Sequence, residues 1–220
     1  TDDRFYLGKA KDIAKDQSYF LYGISAEKLP QLILPLGDLT KEQVRAIAAG
    51  ANLPVAEKPE SMELCFAGEG DYRLALADGA LNRPGDITDM QGNKIAEHNG
   101  IANFTLGQRR GVGFAGGIPL YVGKIDAQKN TIALGTKEQV SSRSVSANQL
   151  NVLIPNELVV GGQFFGKVRS YVYTHPCKLV AVNKQTMAVE FDQPQFAPCP
   201  GQRLVLYNTR DFVTAGGTII

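Results

Sequence analysis

The chain has 220 residues, of which 44% are apolar and 20% are charged, and its formal net charge is +1. These proportions are ordinary for a soluble globular protein, and the length allows one large domain or several small ones. No apolar run approaches the ~18 residues of a membrane span, so we expect no membrane segment. The near-neutral charge creates no overall field for nucleic acid, although local clusters of Lys and Arg could still form a binding face.

The first third of the sequence predicts helices and a strand that would suit part of an α/β domain. The clearest helix signal is LTKEQVRAIAAGANLP, in which Thr40 and Gln43 form a capping-box pattern. Apolar residues between positions 44 and 51 then recur at the spacing of one buried helical stripe. The preceding segment QLILPLGDL predicts a short buried strand.

From residue 69 onwards the sequence changes to short alternating strands. Two segments, GDITDMQGNKIAEHNG and LYVGKIDAQKNTIALG, each predict a hairpin around a polar turn. After Ser141, apolar strands recur at spacings of roughly ten residues, which favours a small closed barrel or a sandwich. The serine-rich stretch KEQVSSRSVSANQ is the predicted boundary between these two β-rich parts. The predicted fold is therefore an α/β remnant (residues 1–68), a small β-rich central domain (residues 69–140) and a C-terminal antiparallel β-barrel (residues 141–220).

Three cysteines, Cys65, Cys177 and Cys199, are the candidates for thiol chemistry. Their odd number, without a signal-peptide pattern, predicts thiols in a reducing cytoplasm rather than a disulfide framework. No C-x-x-C pair is present, so we expect no metal site. Cys177 at a strand start and Cys199 between prolines are expected to have structural roles.

Cys65 lies in PESMELCFAGEGDY, between Glu63 and Glu69. Neighbouring carboxylates disfavour a thiolate, so these two residues do not activate the cysteine as a nucleophile. A cationic side chain or a helix N-terminus would have to come from another part of the chain. Judged by its surroundings alone, Cys65 could be a reactive thiol or a packed apolar side chain, and packing is the commoner role for a cysteine.

Two polar segments could bind an anionic ligand. In TLGQRRGVG, glycines flank a glutamine and two arginines, the first of them Arg109. This pattern suits a phosphate-binding loop, although a solvated turn would look the same. Lys15, Asp16 and Gln17 precede an aromatic pair, an arrangement that is also typical of a polar helix start.

A further signal is the order in which several motifs occur along the chain. They are KDQSYFLYGI, LPLGDLTKEQVRAIA, ESMELCF, FTLGQRRGVG, YVGKID, PGQRLVLY and AGGTII. In this order they resemble the tRNA-specific 2-thiouridylase family, and the resemblance runs from about Leu7 to the last residue. KDQSYFL and ESMELCF are the most specific of these motifs.

The resemblance implies an enzyme that makes 2-thiouridine at the wobble position of tRNA. In this family an N-terminal ATP-pyrophosphatase domain, using ATP with magnesium, adenylates the C2 oxygen of the uridine. A sulfur-relay protein or a cysteine desulfurase loads a cysteine persulfide, which delivers sulfur to C2 and expels AMP. Cys65 matches the persulfide cysteine, and a persulfide is acidic enough to ionise even near carboxylates. The target base must leave the anticodon stack to reach it.

The resemblance also assigns tRNA contacts to positions near the start of the chain and in the predicted barrel. The family pattern has an arginine followed by a tyrosine, whereas this chain reads Arg169-Ser170-Tyr171. We add Arg109 because its glycine-flanked loop suits phosphate binding. The expected tRNA-binding residues are Lys15, Asp16, Gln17, Arg109, Arg169, Ser170 and Gln202.

Two parts of the family pattern have no counterpart in this sequence, the Ser-Gly-Gly-x-Asp-Ser loop of the ATP site and the second catalytic cysteine. We therefore expect no nucleotide cofactor to bind this chain, and no thiolation of tRNA by the chain alone. The start TDDRFYLGKAK lacks an initiator methionine, which favours a piece of a longer cytoplasmic enzyme over a natural chain with a separate ATP domain. The alternative function is a non-catalytic RNA-binding module in which Cys65 is only packed.

Overall fold

The computed structural model describes residues 5–54, 56, 58, 83–114, 117–171 and 173–220. Contacts divide the chain into two units, one formed by Thr1–Pro59 with Arg143–Ile220 and the other by Glu60–Ser142. Within the described ranges, no helix is long and apolar enough to span a membrane. Among these residues the α-helices and strands are α1 (Ser18–Leu21), α2 (Lys41–Gly50), β1 (Gly85–Asp89), β2 (Lys94–His98), β3 (Tyr121–Asp126), β4 (Thr131–Gly135), β5 (Ser141–Val152), β6 (Gln163–Lys167), β7 (His175–Val182), β8 (Thr186–Phe196), β9 (Arg203–Tyr207) and β10 (Val213–Ile219), and short 3-10 helices span Ile13–Lys15, Ala26–Gln31 and Ile101–Asn103.

Strands β5 to β10 close into a barrel in the order β10-β5-β8-β7-β6-β9. Neighbouring strands run antiparallel, and their register pairs Phe164 with Cys177 and Cys177 with Phe191. These alternate side chains fill the interior, and a Cβ added at Gly166 would lie 2.6 Å from the Phe191 ring. Glycine is therefore needed where the ring crosses β6. The barrel confirms the predicted C-terminal architecture.

The N-terminal residues pack against the outside of this barrel. Tyr19 and Tyr22 share a buried cluster with Tyr207 of β9. Asn151 in β5 donates two hydrogen bonds from Nδ2, to the Tyr22 carbonyl oxygen at 2.5 Å and to the Ile24 carbonyl oxygen at 2.9 Å. A Cβ at Gly216 would overlap the Tyr22 ring, so glycine in β10 allows the chain to lie this close. Residues near the start of the chain are thereby fixed to its last strands.

Helix α2 begins where the sequence predicts but is not buried. Thr40 Oγ1 accepts from the Gln43 amide at 3.3 Å and Gln43 Oε1 accepts from the Thr40 amide at 2.9 Å, which confirms the capping box. The predicted buried stripe is wrong, because no residue of α2 is buried and Ile47 is 59% exposed. The predicted strand before it is also wrong, since those residues form no strand and Ile33 is 83% exposed. Apolar spacing predicts which face of a helix can be buried, but in the described part of the chain nothing covers the apolar face of α2.

In the described residues of the unit Glu60–Ser142, four strands form a sheet in the order β2-β1-β4-β3. Both predicted hairpins, β1–β2 and β3–β4, are confirmed, and β1 runs parallel to β4. His98, the last residue of β2, is buried, and its Nδ1 accepts from the Gly100 amide at 3.0 Å. Its Nε2 lies 3.2 Å from the Asn130 carbonyl oxygen, so this nitrogen carries the proton and the ring has a structural role. The predicted division into three domains stays a prediction.

Candidate nucleic-acid interface

Two of the three cysteine thiols lie at described positions, and both are buried. Cys65, with Glu63 and Glu69, lies outside the described residues. Cys177 is in the barrel core, where burial raises the pKa of its thiol to about 12. Burial also raises the pKa of the Cys199 thiol. Both surroundings disfavour a thiolate, which supports the structural roles expected for these two cysteines.

The turn at residues 15–17 is shaped by the side chain of Asp16. One carboxylate oxygen accepts hydrogen bonds from the amides of Ala10 at 3.0 Å and Ser18 at 3.1 Å. The other oxygen accepts from the Ser18 hydroxyl at 2.7 Å. Because both oxygens are used within the protein, Asp16 positions the turn, while Lys15 and Gln17 beside it are exposed.

The turn is fixed to the barrel through the first residues of α1. Ser18 Oγ lies 3.0 Å from the Tyr207 hydroxyl in β9. The Tyr19 hydroxyl donates to the Arg203 carbonyl oxygen at 3.0 Å and accepts from the Arg203 amide at 3.2 Å. Burial raises the pKa of both tyrosines, so each keeps its hydroxyl proton for these bonds. The exposed residues of the turn are therefore followed directly by residues that are hydrogen-bonded to strand β9.

Arg169, directly after β6, has its guanidinium group held in place. It donates to the Ala197 carbonyl oxygen at 2.7 Å, to Cys199 Sγ at 2.8 Å and to the Tyr171 hydroxyl at 3.1 Å. Ala197 has a φ of 42°, a left-handed value that alanine rarely adopts and that turns the chain here. Ser170 is exposed, and the Tyr171 ring is 75% exposed beside the guanidinium. The result is an oriented cation next to an accessible aromatic ring.

Gln202 lies in the turn that leads into β9, and its side chain is exposed. Its backbone amide donates to the Cys199 carbonyl oxygen at 3.0 Å, and its backbone carbonyl oxygen accepts from the Ile219 amide at 2.8 Å. The next residue, Arg203, is the one whose backbone holds Tyr19. Gln202 is thus placed by backbone bonds near the anchor of the turn.

Basic side chains surround this anchor on the outside of the barrel. Lys9 Nζ lies 4.8 Å from the centre of the Tyr207 ring, and Lys167 Nζ lies 5.7 Å from the centre of the Tyr19 ring. Arg169 and Arg203 are close enough to lower the pKa of Tyr19 electrostatically, against the larger effect of burial. Together, Lys9, Lys167, Arg169 and Arg203 form a surface that we call the cationic face.

The structure therefore brings the turn at residues 15–17 together with Arg169, two regions that are far apart in sequence. The sequence interpretation missed Lys9, Lys167 and Arg203. A signal for Lys167 was present, since QFFGKV places a charged residue directly after two phenylalanines and a glycine of a predicted strand. Lys9 and Arg203 carried no local signal, because only the packing of the N-terminal residues on the barrel brings them to this place.

The loop at residues 105–113 lies in the other unit, Glu60–Ser142. Gln108 uses both ends of its side-chain amide within the loop, since Oε1 accepts from the Thr105 amide and Nε2 donates to the Arg110 carbonyl oxygen, each at 2.9 Å. Arg109 and Arg110 are exposed. Arg109 also lines a cavity of about 310 Å³ with apolar neighbours. The glutamine therefore shapes the loop, and the arginines are the side chains that can contact a ligand.

Three family models match successive parts of the chain. Residues 1–69 match the tRNA methyl transferase HUP domain, residues 75–136 match the tRNA methyl transferase PRC-barrel domain and residues 142–220 match the aminomethyltransferase beta-barrel domain. Together these models account for almost the whole sequence.

Several curated relatives are similar along the full chain. The tRNA-specific 2-thiouridylase MnmA of Halothermothrix orenii is 38% identical over 216 residues, which are 97% of this chain and 60% of the relative. The protein of the same name from Pelotomaculum thermopropionicum is 41% identical over 217 residues, 98% of this chain and 59% of the relative. That of Natranaerobius thermophilus is 41% identical over 221 residues, 99% of this chain and 60% of the relative. The chain spans about 60% of the length of these relatives, and it belongs to the tRNA-specific 2-thiouridylase family.

Proposed function

We propose that this chain provides a tRNA-binding surface and the sulfur-carrying cysteine for 2-thiolation of a wobble uridine. The observation that carries the proposal is the position of the turn at residues 15–17 beside the cationic face, to which Arg169 belongs. Basic side chains bind backbone phosphates, and an exposed ring such as Tyr171 can stack on a base. The names of the relatives, tRNA-specific 2-thiouridylases, support tRNA as the substrate.

In the proposed reaction Cys65 carries the sulfur as a persulfide. The ionised terminal sulfur attacks C2 of a uridine whose C2 oxygen has been activated as a leaving group. The C–S bond forms as the C–O bond breaks, and the leaving group departs with that electron pair. A second thiolate then attacks the Cys65 sulfur, so that the S–S bond breaks and its electrons stay on the thiouridine sulfur. Cys177 and Cys199 do not suit this second role, because both are buried.

The sequence of 220 residues contains no Ser-Gly-Gly-x-Asp-Ser loop, so we assign no step of ATP chemistry to its residues. The steps assigned to this chain are the binding of tRNA, the acceptance of sulfur from a sulfur-relay protein or a cysteine desulfurase, and the transfer of that sulfur from Cys65 to the activated uridine. The working compartment of these steps is proposed to be the cytoplasm, where thiols stay reduced.

Sulfur loading tests the role of Cys65. The chain is incubated with a cysteine desulfurase and cysteine, and mass spectrometry locates the added sulfur atom. We expect sulfur on Cys65 in the wild type and none in Cys65→Ser, whereas Cys177→Ser should load like the wild type. Sulfur on Cys177 or Cys199, or on none of the three cysteines, would contradict the proposal and favour a non-catalytic RNA-binding module.

Thiol alkylation provides an independent check of the same assignment. The pKa of Cys177 is raised to about 12, so almost none of this thiol is ionised at pH 8 and alkylation should be very slow in the folded state. Its rate should rise with pH as the solution approaches that value, or on unfolding. Cys65 is expected to react first, and fast reaction of Cys177 at pH 8 would be inconsistent with the assigned roles.

A further inference from the structure

Lys167 is a buried lysine at the end of strand β6. The residue is only 6% exposed, and it shares the outer face of β6 with Phe165. Its Nζ faces the ring of Tyr19 at 5.7 Å. Within the described part of the chain, its ammonium group makes no hydrogen bond and no ion pair. A lysine in such surroundings is normally paired.

Lys9, on the same cationic face, differs from Lys167 because its ammonium group has bonded partners. Its Nζ lies 2.6 Å from Asp211 Oδ1 and 3.2 Å from Thr174 Oγ1. The carboxylate that acts on Lys167 is that of Asp16, but both of its oxygens already accept hydrogen bonds from Ala10 and Ser18. Lys167 is therefore attracted by Asp16 without being bonded to it.

The charged groups around Lys167 act on it in opposite directions. Burial lowers the pKa of its ammonium, the Asp16 carboxylate opposes that effect and Lys9 adds to it. Arg169 and Arg203 also lie close enough to Tyr19 to act on it electrostatically, so Lys167 is one of several cations near this tyrosine. A buried lysine without a hydrogen-bonded partner is unusual, and departures of this kind are expected at functional sites.

We propose that Lys167 binds a phosphodiester oxygen of an RNA backbone, with the exposed side chains of Lys15 and Gln17 at the rim of the site. The inference rests on the proposed function and adds to it a phosphate contact that is built into the barrel. The ammonium donates N–H groups to the anion, and a hydrogen bond between two charged groups is stronger than one between neutral groups. A phosphodiester fits better than a lone carboxylate ligand, because the remaining basic residues of the cationic face can contact neighbouring phosphates of the same strand.

The test compares Lys167→Met with Lys184→Met, a change at an exposed lysine in the turn between β7 and β8. We expect Lys167→Met to weaken tRNA binding by about tenfold and to reduce the salt slope by about one counterion. Its melting temperature should stay equal to that of the wild type or rise, because methionine removes a buried charge without shortening the side chain. Lys184→Met should change neither binding nor melting temperature.

Two further results separate this inference from the proposed function. If the wild type binds tRNA and Lys167→Met binds equally well, the inference is wrong while the function stands. If Lys167→Met loses thermal stability and keeps its tRNA affinity, Lys167 is a structural cation, and the inference is again overturned.

If the wild type does not bind tRNA at all, the proposed function fails and inorganic phosphate becomes the probe. Phosphate should then raise the melting temperature of the wild type above that in chloride at equal ionic strength, and should not do so for Lys167→Met. The same response in both proteins, or in neither, overturns the anion site itself.

Discussion

The turn at residues 15–17 and the loop at residues 105–113 both use one polar side chain to hold the backbone and expose the residues beside it. In the turn this residue is Asp16, and in the loop it is Gln108. The two segments differ in the part of the chain to which they are hydrogen-bonded. The turn is bonded through Ser18 and Tyr19 to strand β9 of the barrel, a part of the chain remote in sequence.

The loop, by contrast, is bonded to a strand that follows it closely. The Gly107 amide donates to the Val122 carbonyl oxygen at 2.7 Å, and the Val122 amide donates to the Gln108 carbonyl oxygen at 2.9 Å. Disturbing the turn should therefore affect the packing of the N-terminal residues on the barrel, whereas disturbing the loop should have only local effects. The substitutions below test this difference, from the largest expected effect on stability to the smallest.

Asp16→Ala should have the largest effect, a loss of about 3 kcal/mol in the free energy of unfolding, because it leaves the amides of Ala10 and Ser18 without their acceptor. Chemical denaturation measures it. Asp16→Asn is the matched control, and it should lose less than about 1 kcal/mol because its amide oxygen still accepts. Equal losses in the two variants would show that the carboxylate charge, not hydrogen bonding, holds the turn.

Gln108→Ala should lower the local stability of its loop by about 1 to 2 kcal/mol, since two hydrogen bonds are lost at an exposed site. Hydrogen exchange of the Thr105 amide should become faster, while exchange in β9 stays unchanged. Gln108→Glu keeps the acceptor for Thr105 and should protect that amide better than alanine does. Faster exchange in β9 would contradict the local character of the loop.

Arg169→Ala and Arg109→Ala should each weaken tRNA binding and reduce its salt slope by about one counterion. Their stabilities should differ. Arg169→Ala loses the bonds to Ala197 and Cys199 and should cost about 1 kcal/mol, whereas Arg109 is exposed and its change should stay within about 0.5 kcal/mol. Titrations over a series of salt concentrations measure the slopes, and unchanged slopes would remove these residues from the interface.

Lys15→Ala should have the smallest effect on stability, within about 0.5 kcal/mol, because its side chain is exposed. Its effect on tRNA affinity should nevertheless exceed that of Lys184→Ala, which changes an exposed lysine distant in sequence from the turn. Equal affinities of the two variants would mean that the turn is not part of the binding surface.

Local patterns predicted the elements whose formation depends on neighbouring residues. The capping box of Thr40 and Gln43 and the two hairpins around polar turns form as expected, because their stabilising contacts lie within a few residues. The regularly spaced strands likewise predicted a barrel. The apolar spacing of α2 predicted its helix but not its exposure, since burial depends on a partner that spacing does not specify.

The candidate site divides in a similar way. Motif resemblance indicated Lys15, Asp16 and Arg169, but it did not distinguish a contact residue from a positioning residue. Only the geometry shows that the Asp16 carboxylate is used within the protein. Lys167 was missed because its neighbours, Tyr19 and Asp16, come from a segment remote in sequence.

Hydrogen exchange of the chain with and without tRNA tests the central claim, that the turn at residues 15–17 and the barrel together form the binding surface. We predict that tRNA slows exchange at residues 15–20 and 167–171 together, with loss of both protections at high salt. Protection of neither segment, with tRNA bound elsewhere on the chain, would contradict the account.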